Sequence, residues 1–333
     1  MVRKKAKYIL NKDAFAKIWG NAEEHQQLSE LLDIEHKVYT PEEIKDDWSL
    51  IKDTEVIISG WGAPHLDEEF LNQAPKLKAL FYGAGSIRGI VTDAMWERGI
   101  LITSAYAANA IPVAEFCVSQ ILFALKCGWQ YVRYIQTNHT YPDHFRVPGG
   151  YKSTVGIITL GMIGTKTLEK LRAYDVNIIV YCISMNEDKA RGMGVKLVTL
   201  EEVFSQADVV SLHTPNLPQT RGMITGLHLA SMKHHATFIN SARGAVVRQN
   251  EMLDVLRKRP DLIAVLDVTD PEPPPAGDPI YELPNVILTP HIAGSMYDEC
   301  RRMAQYAIND LRDWLAGKTP EWAVSREKAA ALA

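Results

Sequence analysis

The chain of 333 residues is long enough for two domains, each with its own hydrophobic core. Hydrophobic residues make up 47% of it and charged residues 23%, proportions typical of an ordinary soluble protein. A formal net charge of −4 gives no electrostatic reason to expect nucleic acid or an anionic membrane as a partner. The four cysteines are scattered without a C-x-x-C pair, which favours a reducing compartment and argues against a disulfide scaffold or a zinc site.

The N-terminus carries basic residues from Arg3 to Lys7 and then only a short apolar run, Tyr8 to Leu10. That run is too short for the core of a signal peptide, and no stretch is expected to span a membrane. We therefore expect a cytoplasmic protein.

The first hundred residues alternate between apolar strands and helical patterns, which predicts a small parallel sheet. Amphipathic helical patterns lie between the first two strands. Strands are predicted at Tyr8–Leu10, Val56–Ser59, Lys78–Tyr82 and Gly99–Thr103. The third strand runs into Gly83–Ser86, whose backbone donors would lie at the ligand-binding edge of the sheet. A plain tight turn has the same sequence pattern.

A long apolar helix is predicted from Ala110 to about Leu125, with Asn109 as its N-cap and Pro112 in its first turn. A helix this apolar on most faces is expected to be buried between domains or between subunits. An irregular loop is predicted over Thr137–Gly150, with His139 and His144 as loop residues.

Val155–Gly164 is the central stretch of the chain: a buried strand, a glycine turn, and a helical pattern from Thr165 to Tyr174. This order places free backbone N–H groups and the positive end of a helix where a pyrophosphate can bind. Gly161 would allow close approach of the phosphates, and Gly164 close packing of helix on strand. Thr159 replaces the first glycine of the usual fingerprint, so the turn must avoid positive φ or carry strain. A strand–turn–helix without a ligand has the same pattern.

The alternation resumes after this stretch and predicts a doubly wound parallel sheet. Its further strands are predicted at Asn177–Cys182, Val195–Val198, Asp208–Leu212, Thr237–Asn240, Ile263–Val268 and Val286–Leu288. Helices are predicted from the capping box Thr199–Glu202 to Gln206, and at Leu227–Met232, Gln249–Lys258 and Tyr297–Leu315. The tail from Ser325 is either helical or frayed.

Three polar residues follow predicted strands of the second domain: Arg243, Glu272 and His291. The carboxyl ends of parallel strands meet at one edge, so these side chains are expected in one cleft. Arginine suits a carboxylate, and histidine is the natural proton donor near neutral pH. Taken alone, each residue also fits a purely structural role: Arg243 on a surface turn, Glu272 in a solvated proline loop and His291 as a capped structural histidine. Asp267 lies within a predicted strand, where its charge requires a partner.

Several motifs in order closely resemble the signature of the D-isomer-specific 2-hydroxyacid dehydrogenases, over about Leu50 to Leu315. The motifs are Asn109–Glu115, His213–Pro215, Thr220–Gly222, Asn240–Gly244, Leu266–Val268, Pro271–Pro273 and Leu283–Ser295.

The resemblance implies a catalytic trio of Arg243, Glu272 and His291 and a substrate carboxylate bound by the backbone of Ala84 and Gly85. It places the partner of the nicotinamide carboxamide at Asp267. The cofactor-binding residues expected on this basis are Gly161, Met162, Ile163, Cys182, His213, Thr214, Pro215, Thr220, Ser241, Ala242, Arg243, Asp267, His291 and Gly294. No metal site is expected.

The resemblance further implies two parallel α/β domains, with a Rossmann-type nucleotide domain inserted into a flavodoxin-like substrate domain. The expected boundaries are 1–104 and 299–333 for the substrate domain and 105–298 for the nucleotide domain. Family members are usually homodimers, with the long helix after Asn109 at the interface.

The sequence departs from the family pattern at the end of the second strand, where Cys182 replaces an aspartate that usually accepts hydrogen bonds from the adenine ribose. No arginine follows immediately, and Lys189 and Arg191 lie several residues on. We therefore expect NAD as the cofactor, with NADP open. Trp61 and Tyr106 would either line the substrate pocket or pack.

The expected activity is interconversion of a 2-oxo acid and a D-2-hydroxy acid by hydride transfer, as in a glyoxylate or hydroxypyruvate reductase. The alternative is a catalytically weak, dinucleotide-dependent regulatory protein on the same fold.

Overall fold

The computed structural model describes residues 3–143 and 147–331; His144, predicted in a loop, lies outside the described residues. The chain forms two compact units. The terminal unit comprises Met1–Asn109 and Ser295–Ala333, and the central unit comprises Ala110–Gly294. These divisions fall a few residues from the predicted boundaries at 104/105 and 298/299.

Strands and helices are numbered along the whole chain. The strands are β1 Lys4–Ile9, β2 Leu32–Tyr39, β3 Val56–Ser59, β4 Ala79–Tyr82, β5 Leu101–Ser104, β6 Tyr151–Ile158, β7 Asp175–Tyr181, β8 Lys196–Leu197, β9 Val209–Leu212, β10 Thr237–Asn240, β11 Ile263–Leu266 and β12 Val286–Leu288. The α-helices are α1 Lys12–Ile18, α2 Ala22–Leu31, α3 Pro41–Asp46, α4 Glu68–Gln73, α5 Asp93–Glu97, α6 Tyr106–Leu125, α7 Gly128–Asn138, α8 Met162–Leu171, α9 Glu187–Gly192, α10 Leu200–Gln206, α11 Gly226–Ala230, α12 Gln249–Lys258, α13 Glu299–Leu315 and α14 Arg326–Ala331.

The terminal unit is built on a five-stranded parallel sheet in the order β2-β1-β3-β4-β5. This is the flavodoxin-like strand order that the resemblance implied. One face of the sheet packs Tyr8, Trp19 and Phe81 against the buried side of α13. The C-terminal residues of the chain thus complete the core that its first residues begin.

The amphipathic pattern between β1 and β3 was interpreted as helical, and this is wrong for Leu32–Tyr39, which forms strand β2. The strand lies at the edge of the sheet and pairs only with β1, so several of its side chains are exposed. An edge strand shows a mixed polar and apolar pattern, which weakens the signal of alternation.

Helix α6 begins at Tyr106, so the prediction of Asn109 as its N-cap is wrong. The Asn109 side chain instead accepts a hydrogen bond from the backbone N–H of Ser295, at 2.8 Å. Pro112 consequently lies inside the helix rather than in its first turn. The preceding alanines favour helix and extend α6 at its N-terminal end.

Helix α6 is also long and apolar enough to cross a membrane, which corrects the expectation that no stretch of the chain approaches such a span. Its most apolar window has a mean hydropathy of 1.5, and 56% of that window is buried inside the protein. Core helices pass the same test of length and composition.

The central unit contains a seven-stranded parallel sheet in the order β12-β11-β10-β9-β6-β7-β8, which confirms the predicted doubly wound fold. The strand order reverses between β6 and β9, so their carboxyl ends flank the crevice in which such sheets bind ligands. The predicted capping box of α10 is present: Thr199 Oγ1 accepts from Glu202 N at 3.2 Å, and Glu202 accepts from Thr199 N at 2.9 Å.

Candidate functional site

The glycine turn after β6 keeps the backbone form of a dinucleotide-binding loop although its first glycine is absent. Thr159 adopts φ +74°, the left-handed conformation that a glycine would take there. The turn therefore carries strain, which is one of the two outcomes that the sequence allowed. Helix α8 begins at Met162, earlier than predicted, so its N-terminus directly follows Gly161.

The two remaining glycines of the turn differ in their surroundings. A Cβ on Gly161 would have no protein atom within 4 Å, whereas a Cβ on Gly164 would lie 2.2 Å from the Thr159 carbonyl oxygen. Gly161 thus leaves space above the first turn of α8, and Gly164 allows the helix to pack on the strand. The space and the helix N-terminus fit the pyrophosphate of a dinucleotide.

The neighbouring strand β9 is followed by His213 and Thr214, both buried. Thr214 Oγ1 lies 2.8 Å from Thr159 Oγ1, which joins the two turns that flank the crevice. His213 Nε2 contacts the Ser211 hydroxyl at 3.0 Å, and burial lowers the pKa of this histidine to about 4. Its Nδ1 is buried without a hydrogen-bond partner among the described residues.

The loop that follows β9 is fixed by one hydroxyl. Thr220 Oγ1 donates to the Pro215 carbonyl at 2.5 Å and accepts from Leu217 N at 2.9 Å. The predicted residues of this loop, His213 to Pro215 and Thr220, thus form one compact turn.

At the end of β7, Cys182 is buried and its thiol lies 3.5 Å from the Ser184 hydroxyl. Ile183 is 74% exposed, and Lys189 and Arg191 are exposed on α9. The position therefore offers neither a carboxylate for a ribose nor an adjacent guanidinium for a phosphate.

Arg243 follows β10 in an extended conformation on a turn that Asn240 organises. The Asn240 side chain accepts from Ala242 N at 3.0 Å and donates to the Arg243 carbonyl at 3.2 Å. Burial lowers the pKa of Arg243, and the nearby Glu272 carboxylate opposes that change.

Gly244 brings a second loop against this turn. A Cβ at Gly244 would lie 2.1 Å from the carbonyl carbon of Thr269 and 2.5 Å from the backbone nitrogen of Asp270. Only glycine permits this approach, which carries the chain towards Glu272. The sequence motif contains Gly244, but the residue's packing role was not predicted.

The sequence predicts Asp267 within a strand, and this is wrong: strand β11 ends at Leu266, so Asp267 follows it. Its buried carboxylate accepts hydrogen bonds from Thr289 Oγ1 at 2.6 Å and from the backbone of Ile292 and Ala293, both at 2.8 Å. Asp267 therefore holds the segment on both sides of His291.

His291 lies at φ +55°, and its ring Nδ1 is 2.6 Å from Glu272 Oε1. Because an ionised carboxylate only accepts, Nδ1 carries the proton of this hydrogen bond. Both side chains are partly exposed, at 46% and 41%. The pair thus leaves Nε2 of the imidazole available for proton exchange with a ligand.

Three more of the predicted cofactor-binding residues, Ser241, Ile163 and Gly294, also lie in the central unit. Ser241 Oγ is 3.0 Å from the buried thiol of Cys117 on α6, and Ile163 of α8 packs near Ala293. Gly294 is the last residue of the central unit.

In the terminal unit, the predicted substrate turn follows β4. The Ser104 hydroxyl donates to the carbonyls of Ala84 at 3.1 Å and Gly85 at 2.5 Å. The serine at the end of β5 therefore fixes the conformation of the turn.

Comparison with known proteins places this geometry in context. The sequence profile described as D-isomer specific 2-hydroxyacid dehydrogenase, NAD binding domain, matches residues 118–293. A glyoxylate reductase of Thermofilum pendens is 31% identical over 268 residues, which cover 79% of the chain and 79% of that protein. A D-3-phosphoglycerate dehydrogenase of Methanocaldococcus jannaschii is 30% identical over 272 residues, or 81% of the chain.

The chain spans only 52% of that phosphoglycerate dehydrogenase. Among solved structures, it is similar to an NAD-complexed D-isomer specific 2-hydroxyacid dehydrogenase from Lactobacillus delbrueckii ssp. bulgaricus, with a TM-score of 0.77 and 24% identity. That likeness covers 97% of the chain and 100% of the solved chain, and it establishes the fold.

Proposed function

We propose that this chain, which belongs to the D-isomer specific 2-hydroxyacid dehydrogenase family, is an NAD-dependent oxidoreductase that interconverts 2-oxo acids and D-2-hydroxy acids. The observation that carries the proposal is the hydrogen-bonded pair of His291 and Glu272, with the guanidinium of Arg243 nearby. Reduction of a carbonyl next to a carboxylate needs a proton donor and a cation, and these residues supply both. When bound, the nicotinamide supplies the hydride to C2 or accepts it in the reverse direction.

Arg243 is proposed to bind the substrate carboxylate and to polarise the neighbouring carbonyl. Its planar fork of N–H donors matches a carboxylate, and its partial burial strengthens the interaction. In the terminal unit, the backbone N–H groups of Ala84 and Gly85 are proposed to bind a substrate carboxylate, in a turn that Ser104 holds. The guanidinium also stabilises the negative charge that develops on the carbonyl oxygen.

His291 is proposed as the general acid in reduction and the general base in oxidation. As C2 is reduced, the electron pair of the C=O π bond moves to oxygen, which takes the proton from Nε2. Glu272 accepts from Nδ1 throughout, so it keeps the ring in one orientation and one tautomer. The neutral imidazole then takes a proton from solvent before the next cycle.

Glyoxylate is the first substrate to test, because the glyoxylate reductase of Thermofilum pendens matches the chain over most of its length. NAD is proposed over NADP because no arginine follows Cys182 to bind a 2′-phosphate.

Replacing His291 with Gln removes the proton donor and keeps a polar side chain of similar size. We expect kcat for glyoxylate with NADH to fall by about 10²–10⁴-fold, because a positioned acid–base group contributes that much. The affinity for NADH should stay within a few-fold, which a fluorescence titration checks. The rate is measured from the loss of NADH absorbance, with NADPH in parallel.

The matched control is His234→Gln, at an exposed histidine outside the site, which should turn over like the wild type. Wild-type turnover by the His291 variant would remove that residue from the acid–base role. A clear preference for NADPH would refute the choice of cofactor.

We also propose a homodimer. Helices α6 and α7 carry apolar side chains that are between 36% and 41% exposed, and such residues favour burial in an interface. They are Phe123, Val132, Tyr134 and Ile135. Light scattering of the purified protein should give twice the mass of one chain.

A further inference from the structure

The loop between β3 and α4 in the terminal unit contains Trp61, and this loop leaves the sheet next to the proposed substrate turn. Ser59 and Tyr82 are paired at the ends of the adjacent strands β3 and β4, and Gly83 N donates to the Ser59 carbonyl at 2.9 Å. Trp61 and Ala84 each follow two residues later, so their backbones leave the sheet at the same level. Neighbouring strands lie about 5 Å apart, which places Trp61 within side-chain reach of the turn.

The backbone of Trp61 is held in place by the loop that follows β1. Asn11 N donates to the Trp61 carbonyl at 3.1 Å. Gly62 has φ +80°, and a Cβ there would lie 2.2 Å from the side chain of Asn11. The backbone position of Trp61 is therefore set by contacts with the loop that follows β1.

Trp61 does not belong to the hydrophobic cores of the terminal unit. Trp61 is 36% exposed, whereas Trp19 of the same unit is fully buried. Tyr106, which was considered with Trp61 as a pocket residue, packs edge-on against Trp322 with ring centroids 5.6 Å apart. Packing thus accounts for Tyr106 and leaves an exposed apolar face at Trp61.

The other residues of this loop supply no cation for a second anionic group. Gly60 to Asp67 contains neither lysine nor arginine. The ring Nδ1 of His65 lies 3.0 Å from the Gly89 carbonyl, and Asp67 caps α4 by accepting from Phe70 N. The one cation of the adjacent turn is Arg88, which already interacts with another group of the protein.

We propose that Trp61 determines specificity by packing against the side chain of the 2-oxo acid, and that it selects uncharged apolar or aromatic side chains over dicarboxylic ones. The inference rests on the proposed function, because the carboxylate bound at Ala84 and Gly85 fixes which way the rest of the acid points. An indole gains free energy from apolar contact but cannot offset the desolvation of a second carboxylate.

Binding of 2-oxo acids in the presence of NAD⁺ tests this proposal without turnover, since two oxidised partners cannot react. Calorimetry compares phenylpyruvate, which has an aromatic side chain, with glyoxylate, which has none. Trp61→Ala should weaken phenylpyruvate binding by about 10–100-fold, the usual effect of removing one large apolar contact. Glyoxylate binding should change by less than about threefold, and Trp61→Phe should restore most of the phenylpyruvate affinity.

The same variants in NADH-dependent assays should show the loss for phenylpyruvate mainly in KM, with kcat for glyoxylate retained. Equal losses for both acids would make Trp61 a structural residue and overturn the proposal. Tighter binding of oxaloacetate than of phenylpyruvate, abolished by Arg88→Ala, would overturn it in favour of a dicarboxylate site. Absence of NADH oxidation with every acid, together with intact selective binding, would refute the proposed reaction and leave the specificity role supported.

Discussion

At the scale of single residues, two members of the candidate site adopt left-handed backbone conformations without being glycine, Thr159 at φ +74° and His291 at φ +55°. Each such conformation costs on the order of 1–3 kcal/mol and persists only where surrounding contacts over-determine it. The contacts are visible in both cases. Thr159 N donates to the Tyr181 carbonyl, and His291 N donates to the Asp267 carbonyl.

Thr159→Gly and Thr159→Ala separate the strain at this residue from its hydrogen bond to Thr214. Both variants lose the hydrogen bond, worth about 0.5–1.5 kcal/mol. Only glycine relieves the left-handed strain of roughly 1–2 kcal/mol, and its greater freedom in the unfolded chain offsets about half of that gain. The glycine variant should therefore be more stable than the alanine variant by about 1 kcal/mol in urea unfolding.

The control pair is Glu169→Ala and Glu169→Gly, at an exposed position within α8. There alanine should be the more stable residue by about 1 kcal/mol, because glycine is a poor helix former. The same order of stability at both positions would show that Thr159 carries no strain.

The sequence predicted that the turn at Thr159 either avoids positive φ or carries strain, and that the charge of Asp267 requires a partner. It did not decide between the two outcomes at Thr159, and it did not identify the partner of Asp267. Two of the three donors to Asp267 are backbone N–H groups, of Ile292 and Ala293. Backbone donors have no side-chain signature, so they can be located only once the loop is folded. The grouping of Arg243, Glu272 and His291 could be predicted from the sequence, because the carboxyl ends of strands converge in any parallel sheet.

At the scale of elements, the site depends on how closely the loop after β11 approaches the turn after β10. Gly244 permits this approach, since a Cβ there would meet backbone atoms of Thr269 and Asp270. Backbone atoms cannot rotate away as a flexible side chain can. The spacing between Arg243 and Glu272 is therefore set by a residue that takes no part in the chemistry.

Gly244→Ala should displace the loop that carries Glu272 and lower kcat/KM for glyoxylate by about 10–100-fold. Misplacement of a reacting group by about 1 Å can cost on the order of 10²-fold in rate. Overpacking of this kind should also destabilise the protein by about 1–3 kcal/mol. Steady-state kinetics and urea unfolding of the variant measure both effects.

Gly192→Ala provides the comparison, because a Cβ at the end of α9 would meet no atom within 4 Å. Its kinetics should match those of the wild type. Retention of full activity by Gly244→Ala would show that the close approach is not needed for the site.

Helix α7 and strand β2 were not predicted from the sequence, because neither has a clear signal where it begins. Helix α7 begins after Cys127, which makes no side-chain cap, so nothing marks its start. Strand β2 follows α2 at Leu31 and Leu32 without a glycine or proline between them. The capped helix α10 and the buried strands β3 and β10 were predicted with close or identical bounds, because capping and burial leave clear patterns.

At the scale of the whole molecule, each unit contains a buried group whose titration changes its stability, and the two changes have opposite sign. Burial lowers the pKa of His213 in the central unit from 6.5 to about 4. The unfolded chain therefore binds the proton more readily, and this contribution to stability is lost as pH falls through that interval. Burial raises the pKa of Asp310 in the terminal unit from 3.8 to about 6, so its contribution is lost as pH rises from about 4 to 6.

Asp310→Asn should remove the second dependence, because asparagine does not titrate. Asp310 is 3% exposed on α13 and accepts from Trp322 N at 3.3 Å, a bond that the asparagine oxygen can still accept. Near pH 7 the variant should be more stable than the wild type in its terminal unit, and this advantage should shrink as pH falls from 6 to 4. Hydrogen exchange of the amides of β3 and β4, corrected for intrinsic rates, measures the effect, with those of β9 and β10 unchanged.

Asp313→Asn is the matched control, because it lies on the same helix with its side chain 42% exposed. An exposed carboxylate is solvated in both states, so this variant should leave the pH dependence of the terminal unit as it is. If Asp310→Asn also left the pH dependence of the terminal unit unchanged, the folded protein would not favour the neutral form of Asp310 over the charged one. A flattened profile confined to the terminal unit would instead mean that the two units respond to acid separately. The unit that contains His213 would then lose stability over a pH range in which the unit that contains Asp310 gains it.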